Sequence, residues 1–327
     1  MAEILRVVLS ARKGGCGKTV VAALVARELA RHGRRVLVLD LDPQRVGVSL
    51  RLGAPVDPPL PYTAVDLVLG PSGRPFSAHS VIEGRLDLVP ANQRDLAPLE
   101  RLLAEMHERR TAATGGDLRR DLLDTRLAGV EVDYDFVLVD TPTGFGEVTT
   151  NALEAADVVL SPIDMSSADN VESLADLQEH LEEVKRQPRV FFIPNKYVAR
   201  ERQSQAALAR ARVLCRGRLL ERALLPSCAA VAQAMAERRD FVATSETAEA
   251  LSLGVWRLGR LLIGLAEGTA GERLAEGARD PRRRWLPPPR APKQRPVLDA
   301  RPRAHALPAP IAPRSSPLSR FRPPGPS

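Results

Sequence analysis

Residues 12–19 read Arg-Lys-Gly-Gly-Cys-Gly-Lys-Thr, directly after the apolar run at 4–9. The three glycines let successive backbone N–H groups turn toward one anion, and Lys18 can reach the outer phosphates of a nucleotide. Apolar positions recur with helical spacing over 20–29, so the amino end of a helix faces the same anion. This pattern of strand, loop and helix predicts a phosphate-binding P-loop, with the Thr19 hydroxyl available to Mg²⁺.

Three aspartates, Asp40, Asp42 and Asp140, stand at or just beyond the carboxyl ends of apolar runs. Such runs are typical of strands in a parallel sheet covered on both faces. Open α/β sheets bind ligands at this edge, and acids beside a triphosphate require Mg²⁺ between them. We therefore expect Asp140 in the metal's water shell. The alternative is that Asp40 or Asp42 only caps a turn before Pro43.

Several segments together carry a resemblance to one family. Lys13, five residues before Lys18, resembles the signature lysine of the deviant Walker A box in ParA/MinD proteins. Residues 36–44 and 134–142 are similar to the second motif and the Walker B strand of that family. Between these two, residues 88–103 are similar to the segment that precedes the central helices in partitioning ParA proteins. Residues 224–239 match the place where the family has a loop and helix beside the adenine, and all segments follow in the expected order.

The resemblance implies an ATPase that uses Mg²⁺ and forms a nucleotide-sandwich homodimer. It assigns catalysis to Asp42, which would orient or activate water, to Lys13, which would reach the partner's phosphates, and to Lys18. It assigns the metal to Thr19, Asp40 and Asp140. The residues implied to bind ATP are Lys13, Gly14, Gly15, Cys16, Gly17, Lys18, Thr19, Val20, Asn195 and Pro226.

Three of these residues could also have ordinary structural roles without a part in binding or catalysis. A lysine in an exposed loop, such as Lys13, is usually only solvated. Asn195, which the resemblance places at the adenine ring, could equally be a turn residue after a strand. Cys16 fills a position that needs a small side chain, and we do not interpret it as a redox centre.

The chain has 327 residues, a net charge of +7 and three cysteines, none in paired spacing with another. Nothing therefore suggests an oxidising compartment or a zinc site. We find neither a signal-peptide pattern nor an apolar run of the length that spans a bilayer, so we expect a cytoplasmic protein. The stretch before the P-loop also has no room for a helix-turn-helix, which indicates the short form of the family.

The alternation of strand and helix patterns predicts an α/β fold with a doubly wound, mostly parallel sheet. We expect strands at 4–10, 35–40, 86–89, 135–140, 157–162, 189–194 and 219–225. We expect helices at 18–33, 94–110, 145–156, 168–187, 201–214, 227–238 and 246–266, with a short one near 63–70 in a loop-rich stretch.

The end of the chain has a different composition. Residues 281–327 contain fourteen of the 28 prolines, and eleven basic residues against one acidic residue, a net charge of +10. The remaining residues, 1–280, therefore carry −3. We expect an ATPase domain at 1–267, a linker at 268–280 and a disordered basic tail at 281–327.

Within the acidic body, residues 196–222 carry eight basic side chains and two acidic ones. This segment is either a solvated helix face or a surface that contacts DNA without sequence preference. Ser227 to Ala230 stand where partitioning proteins often have arginines, which puts the usual DNA surface in doubt and makes the tail a possible substitute.

We interpret the chain as a ParA-like ATPase whose dimer binds non-specific DNA of the nucleoid and whose hydrolysis is stimulated by a ParB-like or adaptor protein. Such a cycle would partition or position a plasmid, a chromosome region or a protein assembly. The alternative is a MinD-like regulator on a membrane surface, although the Pro/Arg tail is not the amphipathic helix which that function needs. A third possibility is a metabolic enzyme of the superfamily, such as an amidoligase or a reductase activator.

Overall fold

The computed structural model describes residues 4–44, 47–54, 60–70, 75–91, 96–114, 122–130, 133–215, 217–236 and 245–269. Its centre is one seven-stranded sheet. The strands are β1 (Leu5–Leu9), β2 (Val36–Asp40), β3 (His79–Ile82), β4 (Leu86–Val89), β5 (Phe136–Asp140), β6 (Val158–Asp164) and β7 (Arg189–Asn195).

Helices cover both faces of the sheet. They are α1 (Lys18–Arg31), α2 (Val48–Arg51), α3 (Ala64–Leu69), α4 (Leu96–Thr114), α5 (Leu122–Leu127), α6 (Glu147–Ala155), α7 (Asp169–Glu172), α8 (Leu174–Glu183), α9 (Arg202–Leu214), α10 (Ala229–Ala236) and α11 (Glu246–Ala266).

The strand order is β3-β4-β2-β5-β1-β6-β7, and every neighbouring pair is parallel except β3 with β4. From β1 the chain moves to one side of the sheet for β2 and later to the other side for β6. The loop after β1 therefore stands at the point where the winding reverses, which is where such sheets bind ligands.

Both faces of the sheet are buried, as the uninterrupted apolar runs predicted. In β2, Leu37 and Leu39 belong to one hydrophobic core, while Val36 and Val38 belong to the core on the opposite face. The predicted α/β class and the mostly parallel sheet are confirmed.

The predicted strand at 219–225 is wrong. Residues Glu221–Ala223 form a short 3₁₀ helix, because the Ala223 N–H bonds back to the carbonyl of Leu220 rather than to a neighbouring strand. Only isolated bridges remain on either side, at Leu219 and Pro226. The seventh strand is instead β3, a half-exposed antiparallel edge strand that the Pro/Gly-rich sequence before it concealed.

The single helix predicted at 168–187 is also wrong, because the structure divides it into α7 and α8. The Ser173 hydroxyl between them donates to the carbonyl of Asn170 at 2.8 Å, a local bond that competes with helix continuation. The sequence also gave no sign of α2 and α5. Residues 270–280 of the predicted linker and the whole tail at 281–327 lie outside the described residues.

The last described helix, α11, has the predicted bounds. Its Ser245 cap accepts a hydrogen bond from the Ala248 N–H, and its apolar face packs on α1 and on the 3₁₀ turn. A Cβ on Gly254 would lie 2.7 Å from the Leu224 carbonyl, so glycine permits this close packing. Within the part of the chain that the structure describes, we find no helix with the length and apolar character that a membrane crossing requires.

Candidate active site

The glycine-rich loop lies between the carboxyl end of β1 and the amino end of α1. Gly15 and Gly17 have φ angles of 74° and 100°, which lie in the left-handed region that other residues adopt only with strain. Lys18 is the first residue of α1 and its side chain is 5% exposed. The backbone therefore has the shape that an anion-binding loop needs, and its lysine lies at the helix amino end.

Asn195, the last residue of β7, supports this loop from behind. Its Nδ2 donates to the carbonyl oxygen of Cys16 at 2.7 Å, and a Cβ on Gly17 would come within 2.3 Å of the same nitrogen. Because the acceptor is a carbonyl, the amide must present its nitrogen to the loop and keep Oδ1 for another donor. The adenine contact expected of Asn195 stays a prediction, and the structure adds a second role.

Pro226 lies on a segment that runs beside the end of β7. The Leu225 N–H bonds to the Pro194 carbonyl at 2.8 Å, and the Ser227 N–H bonds to the Tyr197 carbonyl at 3.0 Å. These two bonds place Pro226 opposite Tyr197. The two residues expected at the adenine ring thus lie on paired segments, although the base contact itself is untested.

The three aspartates meet at one edge of the sheet. Asp40 and Asp140 are register partners on β2 and β5, and Asp140 also pairs with Leu9, the residue that leads into the loop. Asp40, Asp42 and Asp140 are 1%, 4% and 0% exposed. Burial raises the pKa of Asp40 to about 6, and it raises the pKa of Asp140 well above its usual range. The charge of Asp40 raises the pKa of Asp140 further.

Asp140 differs from Asp40 in its partners. Neither oxygen of the Asp140 carboxylate has a hydrogen-bond partner of normal geometry in the described part of the chain, although the nearby Thr19 hydroxyl lowers its pKa. A buried carboxylate without donors is costly unless a cation or a ligand completes it. Asp140 and Thr19 therefore fit a Mg²⁺ ion held mainly through waters and phosphates.

Asp40 is held by donors from the protein. Its Oδ1 accepts from the Asp42 N–H at 3.2 Å, and its Oδ2 accepts from both the N–H and the hydroxyl of Ser49. The Ser49 hydroxyl also accepts from the Ala91 N–H, so one network joins the carboxyl ends of β2 and β4. A Cβ on Gly47 would lie 2.7 Å from Asp40 Oδ2. No sequence pattern pointed to Ser49, because a serine in a short helix is common.

Asp42 combines the two roles that the sequence left open. Its Oδ1 accepts from the Gln44 N–H at 3.0 Å, which is the turn-capping bond of the alternative interpretation. Burial raises the pKa of Asp42, and the positive charge of Lys18 lowers it. The carboxylate thus lies within the electrostatic influence of the P-loop lysine, so a role beside bound phosphates stays a prediction.

The described residues contain no group of three or more His, Cys, Asp and Glu that could hold a metal alone. Mg²⁺ usually needs only one or two carboxylates when a substrate supplies phosphate oxygens. The Cys16 thiol is buried, and burial raises its pKa, so it is a poor nucleophile.

Lys13 lies against its own chain in this conformation. Its Nζ donates to the Asp169 carbonyl at 2.9 Å and to Asn170 Oδ1 at 3.3 Å, both in α7. Arg12 forms an ion pair with Asp176 of α8 at 3.2 Å. The expected contact of Lys13 with a partner's phosphates is untested, and it would require these two hydrogen bonds to break.

Four of the eight basic side chains at 196–222 are engaged within the chain. Ion pairs join Lys196 with Asp164, Arg210 with Glu172 and Arg212 with Glu221. Arg218 lies over the ring of Phe192 at 5.5 Å from its centre. Arg200 and Arg202 are exposed and form no ion pair within the described ranges, which leaves them free to meet an external anion.

Residues 5–192 match a protein-family model described as an AAA domain. A probable plasmid-partitioning protein ParA of Thermus thermophilus is 35% identical over an alignment of 201 residues that covers 57% of this chain and 56% of the relative. The chromosome-partitioning ATPase Soj of Thermus thermophilus is 33% identical over 184 residues, 56% of this chain and 64% of that protein. The chain thus spans less than two thirds of the length of these curated relatives.

Among solved structures, a variant of Cyanothece McdA in complex with ATP superposes with a TM-score of 0.67. The match covers 81% of this chain and 98% of that one, at 19% sequence identity. At this identity the likeness establishes the shared fold and nothing further.

Proposed function

The chain belongs to the ParA/MinD family of P-loop ATPases, within the AAA domain family, and we propose that it hydrolyses ATP with Mg²⁺ to partition or position a cargo. We assign this activity to a domain formed by residues 1–267. The observation that carries the proposal is the cluster of buried carboxylates beside the P-loop, since strongly perturbed pKa values concentrate at functional sites.

The proposed site divides its work among few groups. The loop N–H groups of Gly14, Gly15, Gly17 and Lys18 bind the phosphates, and the Lys18 ammonium offsets their charge. Thr19 and Asp140 would hold Mg²⁺, which would supply positive charge to offset the charge of the phosphate oxygens. Asp42 orients the attacking water and accepts its proton. Asp40 fixes the peptide that carries Asp42.

We further propose that ATP joins two copies of the chain. Lys13 would leave Asp169 and Asn170 and bind the phosphates of the partner, where a second cation offsets charge that one lysine leaves exposed. Two hydrogen bonds made by an exposed lysine cost little to break, because water replaces them. Bound ATP thus holds the two chains together, and its hydrolysis lets the dimer dissociate.

The dimer would bind DNA without sequence preference in the cytoplasm, at the nucleoid, and a ParB-like or adaptor protein would stimulate hydrolysis. Support comes from the partitioning relatives and from the basic tail, which offers eleven cations. The apolar face of α11 is buried in the body, so this helix is not available to a membrane as the MinD-like alternative would require.

The test uses the Asp42→Ala variant with wild-type protein and Glu179→Ala as an exposed control. We expect Asp42→Ala to lose at least ~100-fold in kcat, since a general base contributes at least that much, while it still binds ATP. Size-exclusion chromatography with light scattering should show a dimer that persists with Mg²⁺ and ATP. An Asp42→Ala protein with the wild-type hydrolysis rate would remove Asp42 from the mechanism, and a wild-type protein without ATPase activity would refute the proposal.

A further inference from the structure

The amino end of α6 is capped by a side chain from a different helix. The carboxylate of Glu100, in α4, accepts hydrogen bonds from the Glu147 N–H and from the Val148 N–H, the latter at 3.0 Å. These N–H groups belong to the first helical turn, where no backbone partner exists, and a negative charge there is favourable. A Cβ on Gly146 would overlap a Glu100 oxygen, so glycine at this position lets the carboxylate approach.

The loop that ends at this cap begins at the active site. Residues 141–146 connect Asp140 with α6. At the start of the loop, the Thr141 hydroxyl donates to the Leu9 carbonyl at 2.8 Å and fastens the chain to β1. At the middle, a Cβ on Gly14 would lie 3.6 Å from Thr143 Cγ2, so Thr143 stands beside the P-loop.

Glu100 therefore fixes the far end of a loop that touches the P-loop. Phe145, next to the cap, stacks on His180 with ring centres 4.7 Å apart. The loop is anchored by Thr141 at one end and by the Glu100 bonds at the other, with Thr143 between them. If the cap is lost, the loop residues 141–146 must move, because the flanking elements β5 and α6 are packed in the core and cannot.

We propose that Glu100 is a positioning residue for ATP hydrolysis, which holds the 141–146 loop in place beside the P-loop. This inference rests on the proposed ATPase function of the same site. A displacement of about 1 Å in a catalytic arrangement can cost on the order of 100-fold in rate, so a residue that only holds a loop can govern kcat.

The packing of α4 explains why Glu100 can hold this position. Leu99 and Leu103, on either side of it, are 0% and 4% exposed and belong to the hydrophobic core. They fix the rotation of α4 and direct Glu100 toward α6. Glu105 lies on the exposed part of the same helix, in ion pairs with Arg101 and Arg109, and therefore provides a matched control.

The experiment compares full-length wild-type protein with Glu100→Ala, Glu100→Gln and the control Glu105→Gln. Steady-state ATP hydrolysis gives kcat and KM, and hydrogen exchange followed by mass spectrometry reports the amides of residues 141–150. We expect Glu100→Ala to lower kcat about tenfold, with KM changed less than about threefold. Glu100→Gln keeps one acceptor oxygen and should fall between Glu100→Ala and wild type. Both Glu100 variants should exchange the 147–148 amides several-fold faster, while peptides of β1 stay unchanged.

Two results would overturn the inference. The first is exchange at 147–148 that is unchanged in Glu100→Gln, the variant that best preserves folding. The second is a kcat of Glu100→Ala that equals that of Glu105→Gln. If wild-type protein shows no hydrolysis, the proposed function fails, and faster exchange in the Glu100 variants would still establish the positioning of the loop.

Discussion

The carboxyl edge of the sheet and the surface at 196–222 both concentrate ionisable side chains, but they differ in burial and in pairing. At the edge, Asp40, Asp42 and Asp140 are all acidic side chains, and they are buried and close together. On the surface, Arg210 and Arg212 each have an acidic partner and are well exposed.

The two arrangements have different energetic meanings. Exposed ion pairs contribute little because water screens them, so those of the surface neither stabilise the fold strongly nor prove a function. Buried like charges destabilise the protein until a cation or ligand arrives. The edge therefore indicates a binding site, while the surface becomes an interface only if an external anion competes with its internal partners.

The largest expected effect concerns Lys13 and Lys18, the two lysines of the P-loop beside this edge. Lys18→Ala should weaken ATP binding by at least about 100-fold and abolish dimerisation, because one buried cation beside the phosphates is lost. Lys13→Ala should keep nucleotide affinity within about threefold and lose the dimer, because its proposed contact is with the partner. Binding of a fluorescent ATP analogue and light scattering separate the two losses. An equal loss of ATP affinity in both variants would contradict a role of Lys13 in the partner's site.

The second effect tests whether the tail binds DNA more strongly than the surface. A chain that ends at Asp280 lacks the eleven basic residues of 281–327. If about six of them contact phosphates, log affinity of the full chain should fall against log salt with a slope near −5, from ~0.9 counterions released per contact. The truncated chain should show a much shallower slope on the same duplexes, with Mg²⁺ and ATP present.

If the salt slope is unchanged after truncation, the DNA contact must be assigned to the surface at 196–222 instead of the tail. Unrelated duplexes should bind alike, since a proline- and arginine-rich segment has no rigid element to read base edges. If neither chain binds DNA but the full chain sediments with anionic vesicles, the MinD-like alternative gains support.

The third effect is a gain in the stability of the folded protein when the Asp140 carboxylate is replaced. The pKa of Asp140 lies well above its unfolded value of about 4, so the folded state binds its proton more tightly. Stability is therefore present at low pH and is lost as pH rises from about 4 through the folded pKa. Without nucleotide, Asp140→Asn should be more stable than wild type at pH 8, and the difference should be smaller at pH 5.

Thermal unfolding at the two pH values measures this difference, with Glu179→Gln as an exposed control. Mg²⁺ with ATP should then stabilise wild-type protein more than Asp140→Asn, since the variant loses a proposed contact to the metal shell. A variant that is less stable than wild type at pH 8 would mean that the Asp140 carboxylate is satisfied in the free protein.

The sequence predicted the strands that are buried on both faces, because their apolar runs are unbroken, and it predicted the P-loop from its glycines. It did not predict β3, whose half-exposed residues alternate only weakly, or the 3₁₀ turn at Glu221–Ala223, where apolar residues resembled a strand. Local hydrogen bonds decided against a strand there, and such bonds leave no periodic signal.

At the site, the sequence placed Asp40 beside Asp140 correctly, because strand ends share one edge of a parallel sheet. It could not indicate that Asn195 supports the Cys16 carbonyl or that Ser49 holds Asp40, since these contacts join residues far apart in the chain. It also could not show that Arg210 and Arg212 have partners, because a charge count does not tell which charges meet.

The smallest expected effect concerns the surface itself and follows from that last point. Arg200 and Arg202 have no internal ion pair in the described part of the chain, so replacing both with alanine should remove about two phosphate contacts and reduce the salt slope by roughly 1.8. Affinity should then fall a few-fold at moderate salt. The matched variant, with Arg210 and Arg212 replaced by alanine, should change affinity less than about twofold, because Glu172 and Glu221 already compete for these side chains. Titrations on one duplex in the chain that ends at Asp280 isolate the surface from the tail. A larger loss from the Arg210 and Arg212 variant would mean that DNA displaces the acidic partners of these arginines. Both regions would then bind an external ligand, and their internal ion pairs would not distinguish the surface from the edge.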